Sequence, residues 1–344
     1  MAGGQGSRLR PITNTRPKPM VELLQRPVIE FIKEAMVNAG MEEIILTTGY
    51  RGEQLENLVK SWNRNGVNSR VNQENTPMGT AGSVRLLLDD LSQTFVVGSG
   101  DSVTSLDLSD FISVHKEKGA KVTMALWKVD DPTEFGIVGL SNSMDGDVDG
   151  ELSEGYIRKF LEKPKIEDAF SNVINAGLYI IEPEVLEMVP EGEKYDFSKQ
   201  LFPRVLEKGW PMYAKIIDGI WFDVGNPDQL LEAQDLLISK MDELPFSKPE
   251  ARIESGNVIH RDSVIDGESF NSSIDSNCIV ESGSKVTGSL LMQNVNVGKN
   301  CIVSNSVIGK NVVISDDVTL LHCIVGDDEI IDAGIYKEIK IPSD

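Results

Sequence analysis

The sequence predicts an α/β domain with a mostly parallel sheet covered by helices on both faces, followed by a parallel β-helix. Three features carry this: strand–helix alternation to about residue 240, loss of helical periodicity after Leu244, and a six-residue apolar repeat beyond it. An amphipathic helix is expected over Val28–Ala39 and a β-branched strand over Glu43–Thr48. Phe95–Val97 reads as a strand ending in a Gly-Ser-Gly-Asp turn; Val122–Trp127 and Gly177–Ile181 read as further buried strands, and Gln229–Lys240 has helical spacing. Ligands of such folds sit at the carboxyl ends of the strands.

Pro245 and Pro249 mark a linker, so the chain divides into 1–243, a linker over 244–252, and a repeat domain over 253–335. In the last part apolar residues return every six positions: Ile253, Ile259 and Ile265, then Ile274, Val280 and Val286. After five-residue slips the pattern resumes at Val297 and Val303, at Ile308, Ile314 and Leu320, and at Val325 and Ile331. Gly and Asn recur beside them. Inward β-branched residues at this period build coils that stack on one another.

Fifty-four acidic residues against 33 basic give a formal charge of −21, which argues against general affinity for nucleic acid or an anionic membrane. The first 35 residues reverse the balance, with Arg8, Arg10, Arg16, Lys18, Arg26 and Lys33 against three acidic residues. Such a basic segment suits a small anionic ligand. Cys278, Cys301 and Cys323 are odd in number and lack Cys-x-x-Cys spacing; they read as free thiols in a reducing cytoplasm, buried as small apolar side chains. No apolar run is long enough to span a bilayer.

The opening Met1-Ala-Gly-Gly-Gln-Gly-Ser-Arg-Leu-Arg-Pro-Ile-Thr is the strongest chemical signal. Gly3, Gly4 and Gly6 let backbone N–H groups approach a polyphosphate. Arg8 and Arg10 can neutralise phosphate charge. In Arg16-Pro-Lys-Pro-Met, two prolines hold Lys18 as a rigidly placed charge.

With these residues in hand, the chain resembles the sugar-1-phosphate nucleotidylyltransferases, whose signature is Ala-Gly-Gly-x-Gly-Ser/Thr-Arg-Leu-x-Pro, then Pro-Lys-Pro. The resemblance covers about residues 1–240. It implies a Rossmann-like catalytic domain, and an appended left-handed β-helix is common in the family. Four later segments match in order. Glu74-x-x-Pro77-x-Gly79-Thr80 looks like a base-reading loop, and Gly100-Asp101 like a first metal site. Glu162-Lys163-Pro164 with Asn175-Ala-Gly177 looks like the sugar-phosphate site, and Trp221-Phe-Asp223-Val-Gly225 like a second metal site. Gly136 matches a glycine that lets the backbone approach the sugar. Each match alone has a plain reading as a cap, turn or surface pair; five in order favour the catalytic one.

The implied reaction joins a nucleoside triphosphate to a sugar 1-phosphate. The sugar phosphate is already an anion and needs no general base, only in-line aim and offset charge. Asp101 and Asp223 would hold Mg²⁺. Arg8 and Lys18 would stabilise the departing pyrophosphate, Lys163 would bind the sugar phosphate, and Glu162 and Asn175 would meet sugar hydroxyls. Glu74 stands where many uridine or thymidine users carry Gln. A carboxylate only accepts hydrogen bonds and so suits the paired N1–H and N2–H of guanine. GTP and mannose 1-phosphate are therefore expected. If the register shifts by one, Gln73 faces the base instead and UTP or dTTP with glucose 1-phosphate becomes the pair.

Met1 stands where the family's first strand should end, so the native chain is expected to begin a few residues earlier. Two rival classes stand against this reading. Acyl transfer, suggested by the β-helix, would need His260 or His322, and neither lies in an evident active-site loop. A regulatory homologue would be expected to lose phosphate or metal ligands that this sequence retains. Homo-oligomerisation through the β-helix is expected because its ends and faces need covering.

Overall fold

A computed structural model describes residues 1–49 and 51–342. It divides into two compact units: Met1–Gly3 with Ile32–Trp221, and Gly4–Phe31 with Phe222 onward.

The first unit is built on a six-stranded sheet. Its strand order is Phe95–Gly98, Val173–Ile181, Val122–Lys128, Met212–Ile216, Glu154–Glu162, Gly136–Ser141. Val173–Ile181 runs antiparallel to both of its main neighbours, so Phe95–Gly98 and Val122–Lys128 share a direction, and Met212–Ile216 runs parallel to Val122–Lys128. A parallel pair, Glu43–Thr48 with Asn68–Gln73, completes the β structure that follows helical crossovers. Parallel strands need a crossover of a dozen or more residues, usually a helix. Between Lys118 and Pro183 the chain forms no α-helix, and the strands laid down there meet their neighbours antiparallel except where Met212–Ile216 returns after a helix. The α/β fold class is borne out, and the expected strands and helices appear with small shifts of boundary: Ile29–Asn38 and Pro227–Ser239 are the helices.

Met1 and Ala2 lie between two strands. Ala2 N–H donates to Thr47 O, the Met1 nitrogen to Gly98 O, and Gly100 N–H to Met1 O, each at 2.8 Å. These bonds place Gly100-Asp101 at the carboxyl end of Phe95–Gly98. The core beneath packs Met124, Leu126, Ile181, Phe197, Leu201 and Phe202 at complete burial.

The second unit contains a parallel β-helix of about five turns, of the left-handed type. Its three faces are columns of short strands, and successive coils repeat at 17 residues, as in the pairs Asn294–Asn311 and Asn311–Asp328. Inward residues Ile274, Val280, Val286, Val297, Val303, Ile308 and Val325 are fully buried, each stabilising by roughly 1.5–3 kcal/mol. Cys278, Cys301 and Cys323 are buried as well, and burial pushes the Cys278 thiol up to about 12. Asparagines take the left-handed corners: Asn277, Asn294 and Asn311 have φ 58°, 62° and 58°. Their amides form a ladder, Asn277 to Asn294 at 3.2 Å, Asn294 to Asn311 and Asn311 to Asp328 at 2.8 Å. Ile253 departs from the inward pattern and is 49% exposed. Its strand, Ala251–Glu254, pairs antiparallel with Asn257–His260 and caps the first coil rather than joining the stack. Among the described residues no helix is long and apolar enough to cross a membrane.

Candidate active site

Each unit gathers part of the expected chemistry. In the second unit the glycine turn doubles back on the Pro-Lys-Pro segment. Gly6 has φ 65°, and a Cβ there would lie 2.9 Å from Lys18 Cβ and 3.0 Å from Thr13 Cγ2, so only glycine fits. Thr13 Oγ1 donates to Gly6 O at 2.7 Å and locks this fold-back. Around Gly4 nothing lies within 4 Å of a Cβ position, which leaves its backbone open to a ligand. Lys18 is 8% exposed, and its Nζ donates to Asp223 Oδ1 at 2.9 Å. A Cβ on Gly225 would meet Gln229 Oε1 at 2.8 Å, Asp223 Oδ2 at 3.1 Å and Arg8 Nη2 at 3.2 Å. The absent side chain at Gly225 therefore lets Arg8 and Asp223 converge, and Lys18 joins them. Helix Pro227–Ser239 begins here, with Asn226 accepting from Gln229 N–H at 2.9 Å.

In the first unit, Glu74 follows strand Asn68–Gln73 and turns toward its own loop. Its Oε2 accepts from Met78 N–H at 3.0 Å, and its Oε1 accepts from Ser83 Oγ. Gln73 points elsewhere, with Oε1 in the space that a side chain on Gly52 would fill. Gly79 has φ 77°, and its Cβ would meet Tyr195 O at 2.6 Å, so this glycine is required by packing against the Tyr195 backbone. Thr80 Oγ1 donates to Asp196 Oδ2 at 3.1 Å and accepts from Phe197 N–H at 2.9 Å. Asp101 accepts from Ser99 Oγ at 2.5 Å.

The sugar-site residues cluster on neighbouring strands. Gly136 pairs with Glu162, and a Cβ on Gly136 would lie 2.7 Å from Glu162 Oε2. The glycine thus makes room for that carboxylate. Burial raises the Glu162 pKa, the charge of Asp196 adds to the rise, and Lys163 and Lys199 oppose it. Lys163 is held at φ 48°, its N–H bonded to Phe135 O at 2.9 Å and its Nζ 3.7 Å from Glu134 Oε2. A non-glycine residue in this region carries about 1–3 kcal/mol of strain, which persists where the surroundings impose it. Asn175 Nδ2 donates to Tyr179 Oη at 2.8 Å and Ser198 Oγ at 3.3 Å, while its Oδ1 accepts from Gly177 N–H at 2.9 Å. Burial pushes the Tyr179 phenol above its ordinary range. Asp196, Ser198 and Tyr179 were not singled out from sequence. Only the Asp196-Phe-Ser pattern, an Asp accepting from Ser198 N–H at 2.9 Å, carried a local signal.

A glycine turn folded onto a proline-flanked lysine, beside an Asp and an Arg, suits a nucleotide polyphosphate. A family model described as Nucleotidyl transferase matches residues 1–240. The chain belongs to the nucleotidyl transferase family. A second model, described as GMPPB C-terminal domain, matches residues 247–340. Mannose-1-phosphate guanylyltransferase 1 of Arabidopsis thaliana is 30% identical over 318 residues, covering 88% of this chain and 83% of that protein. The mannose-1-phosphate guanyltransferase of Saccharomyces cerevisiae is 35% identical, covering 70% of this chain and 64% of that one. UTP–glucose-1-phosphate uridylyltransferase of Synechocystis is 35% identical, with 66% and 60% coverage. A Bacillus anthracis crystal structure named for glucose-1-phosphate thymidylyltransferase shares the fold, with TM-score 0.61, 23% identity, and coverage of 72% of this chain and 95% of that one. The sugar-1-phosphate nucleotidylyltransferase resemblance is borne out, and this nucleotidyl transferase is an enzyme.

Proposed function

We propose that this nucleotidyl transferase joins GTP and mannose 1-phosphate, using Mg²⁺, to give the guanosine diphosphate sugar and pyrophosphate. The observation that carries the choice of base is the orientation of Glu74. Its carboxylate is fixed by Met78 N–H and Ser83 Oγ, while Gln73 is turned to Gly52. Each carboxylate oxygen accepts more than one hydrogen bond, so Glu74 retains capacity for the N1–H and N2–H donors of guanine. Uracil or thymine would present carbonyl oxygens to the same charge. The named guanylyltransferase relative that aligns through 88% of the chain supports this choice. The uridylyltransferase relative supports the second reading, UTP or dTTP with glucose 1-phosphate.

In the mechanism, an oxygen of the sugar phosphate attacks the α-phosphorus in line, and the bond from that phosphorus to the bridging oxygen of the β-phosphate breaks. The backbone of Gly3, Gly4 and Gly6 receives the phosphates. Arg8 and Lys18 offset the charge that gathers on departing pyrophosphate. Gly79 and Thr80 shape the base loop, Lys163 binds the sugar phosphate, and Glu162, Asn175 and Gly136 line the sugar. The donor chemistry fits Mg²⁺, since Asp101 and Asp223 offer the hard carboxylate oxygens that it takes beside substrate oxygens. Mg²⁺ held by either carboxylate would offset phosphate charge.

Residues 1–243 are assigned the transfer reaction, 244–252 the linker, and 253–335 assembly into a homo-oligomer. Val264, Ile279, Val313 and Ile330 support assembly, since all are at least 40% exposed, at 52, 40, 42 and 69%, in one column interrupted by Asn296. Sedimentation equilibrium tests it, and a strict monomer at micromolar concentration refutes it. Competition among GTP, UTP and dTTP in one turnover assay tests the base. Preferential GTP consumption is expected, and no GTP turnover refutes the guanine reading.

A further inference from the structure

Within the second unit, the segment Pro11–Gln25 is laid along one corner of the β-helix. Gln25 Nε2 donates to Ile274 O at 2.9 Å and Val258 O at 3.3 Å. Glu22 Oε1 accepts from Lys310 Nζ at 2.8 Å and Gln293 Nε2 at 3.2 Å. Arg16 Nη1 lies 2.9 Å from Met292 Sδ, and its Nη2 donates to Asp327 Oδ2. Thr15 Oγ1 donates to the same oxygen at 2.5 Å. At the far end a Cβ on Gly326 would lie only 3.2 Å from Pro11 Cβ. The partners climb the stack coil by coil, so the segment that carries Lys18 is tied to the solenoid along much of its length.

Asp327 does two things at once. Its Oδ1 accepts from Lys310 N–H at 2.8 Å, across the 17-residue step between coils. Asp316 does the same for Lys299 at 2.7 Å across an equal step, at a different corner, where it is exposed. Holding a corner therefore takes one carboxylate oxygen. In Asp327 the second oxygen is given to Arg16, whose side chain is 6% exposed against 8% for the aspartate. A guanidinium so buried has to keep its carboxylate, because an unpaired buried charge is costly. Arg16 is joined to Lys18 through Pro17, and Pro19 follows, so little backbone freedom separates the anchored residue from the lysine.

We propose that Asp327 is a positioning residue for nucleotidyl transfer: through Arg16 it fixes Lys18 in its place beside Asp223. The proposal rests on the phosphate-binding role given to Lys18. It assigns the β-helix a part in the reaction, distinct from assembly.

The test uses the full chain, with kcat and KM for nucleotide measured separately and thermal midpoints recorded. Asp327→Asn keeps an oxygen for Lys310 N–H and removes the charge. It should lower kcat roughly ten-fold, less than the roughly 10²-fold that a 1 Å misplacement can cost, with KM for nucleotide little changed. Asp316→Asn, the same change at the other corner, should stay within about two-fold of wild type, because that exposed carboxylate ties coil to coil at a corner away from Arg16. The double variant Arg16→Met/Asp327→Asn removes the unpaired charge; its thermal midpoint should recover while kcat stays low. Wild-type kcat in Asp327→Asn, or recovery of kcat together with stability in the double variant, overturns the proposal. If Asp327→Asn does not fold, Arg16→Lys carries the same test, since it keeps a cation but loses the fork: lowered kcat supports the proposal and wild-type kcat overturns it. A Lys18→Ala arm separates the two claims. Full activity there removes the role of Lys18 itself, whereas loss there beside an unaffected Asp327→Asn removes only the coupling.

Discussion

Gly4 and Gly6 sit two residues apart, and alanine at each should act with opposite sign on stability. Gly6 is in the left-handed region at φ 65° and ψ 39°. An L-residue there costs about 1–2 kcal/mol. Its Cβ would also press on Lys18 Cβ at 2.9 Å and Thr13 Cγ2 at 3.0 Å, so one of them must shift. Gly6→Ala should therefore lower the thermal midpoint by several degrees and reduce kcat, because Lys18 moves with it. Gly4 has no atom within 4 Å of a Cβ position and no positive φ. Alanine there restricts the unfolded chain and should stabilise the ligand-free enzyme by about 0.4–1 kcal/mol. That same methyl would stand where the nucleotide phosphates approach. Nucleotide at about 100 times its Kd stabilises a protein by about 2.7 kcal/mol; the wild type should show this shift and Gly4→Ala should lose most of it. Thermal melts with and without GTP and Mg²⁺ read both effects. A Gly4→Ala protein that GTP stabilises as fully as wild type would refute the placement of the phosphates over this turn.

Lys18→Ala should lower kcat by about 10²–10³, the usual cost of removing one group aimed at transition-state charge; steady-state kinetics on folded protein would expose a smaller role. Glu162 supplies a pH prediction. Burial raises its native pKa, so its proton is held more tightly folded than unfolded. Its contribution favours the native state at acid pH and is lost as pH rises through the native value. Glu162→Gln should therefore lose less stability than wild type as pH rises from about 4 to 7; parallel melting curves across that range would count against it. In the β-helix, Asn294→Ala at φ 62° should cost about 1–2 kcal/mol of left-handed strain on top of the lost amide bonds. Asn294→Gly should lose only those bonds, about 1 kcal/mol, and equal midpoints for the two would argue against backbone strain at this corner.

The parts of this molecule legible in sequence are those written by local periodicity and local chemistry. Six-residue spacing of Ile274, Val280 and Val286 described their burial correctly, because a β-helix repeats one local rule coil after coil. Ile253 obeyed the spacing but faces outward, since an antiparallel cap needs no inward residue and the period alone cannot distinguish cap from coil. The fold-back of Gly6 on Lys18 is likewise local. Asp327 is different: its pairing with Arg16 joins residues 311 positions apart. Both Asp327 and Asp316 open an Asp-Asp corner, and neither sequence shows the segment laid against Asp327. Asp196, the partner of Thr80, was hidden for the same reason, since their contact spans 116 residues.

Pyrophosphate release is the most direct test of the central claim. The full enzyme is supplied with Mg²⁺ and each pairing of GTP, UTP, dTTP or ATP with mannose 1-phosphate or glucose 1-phosphate. The account predicts release that is fastest with GTP and mannose 1-phosphate. Release only with UTP or dTTP and glucose 1-phosphate would contradict the role of Glu74, and no release from any pairing would contradict the proposed reaction.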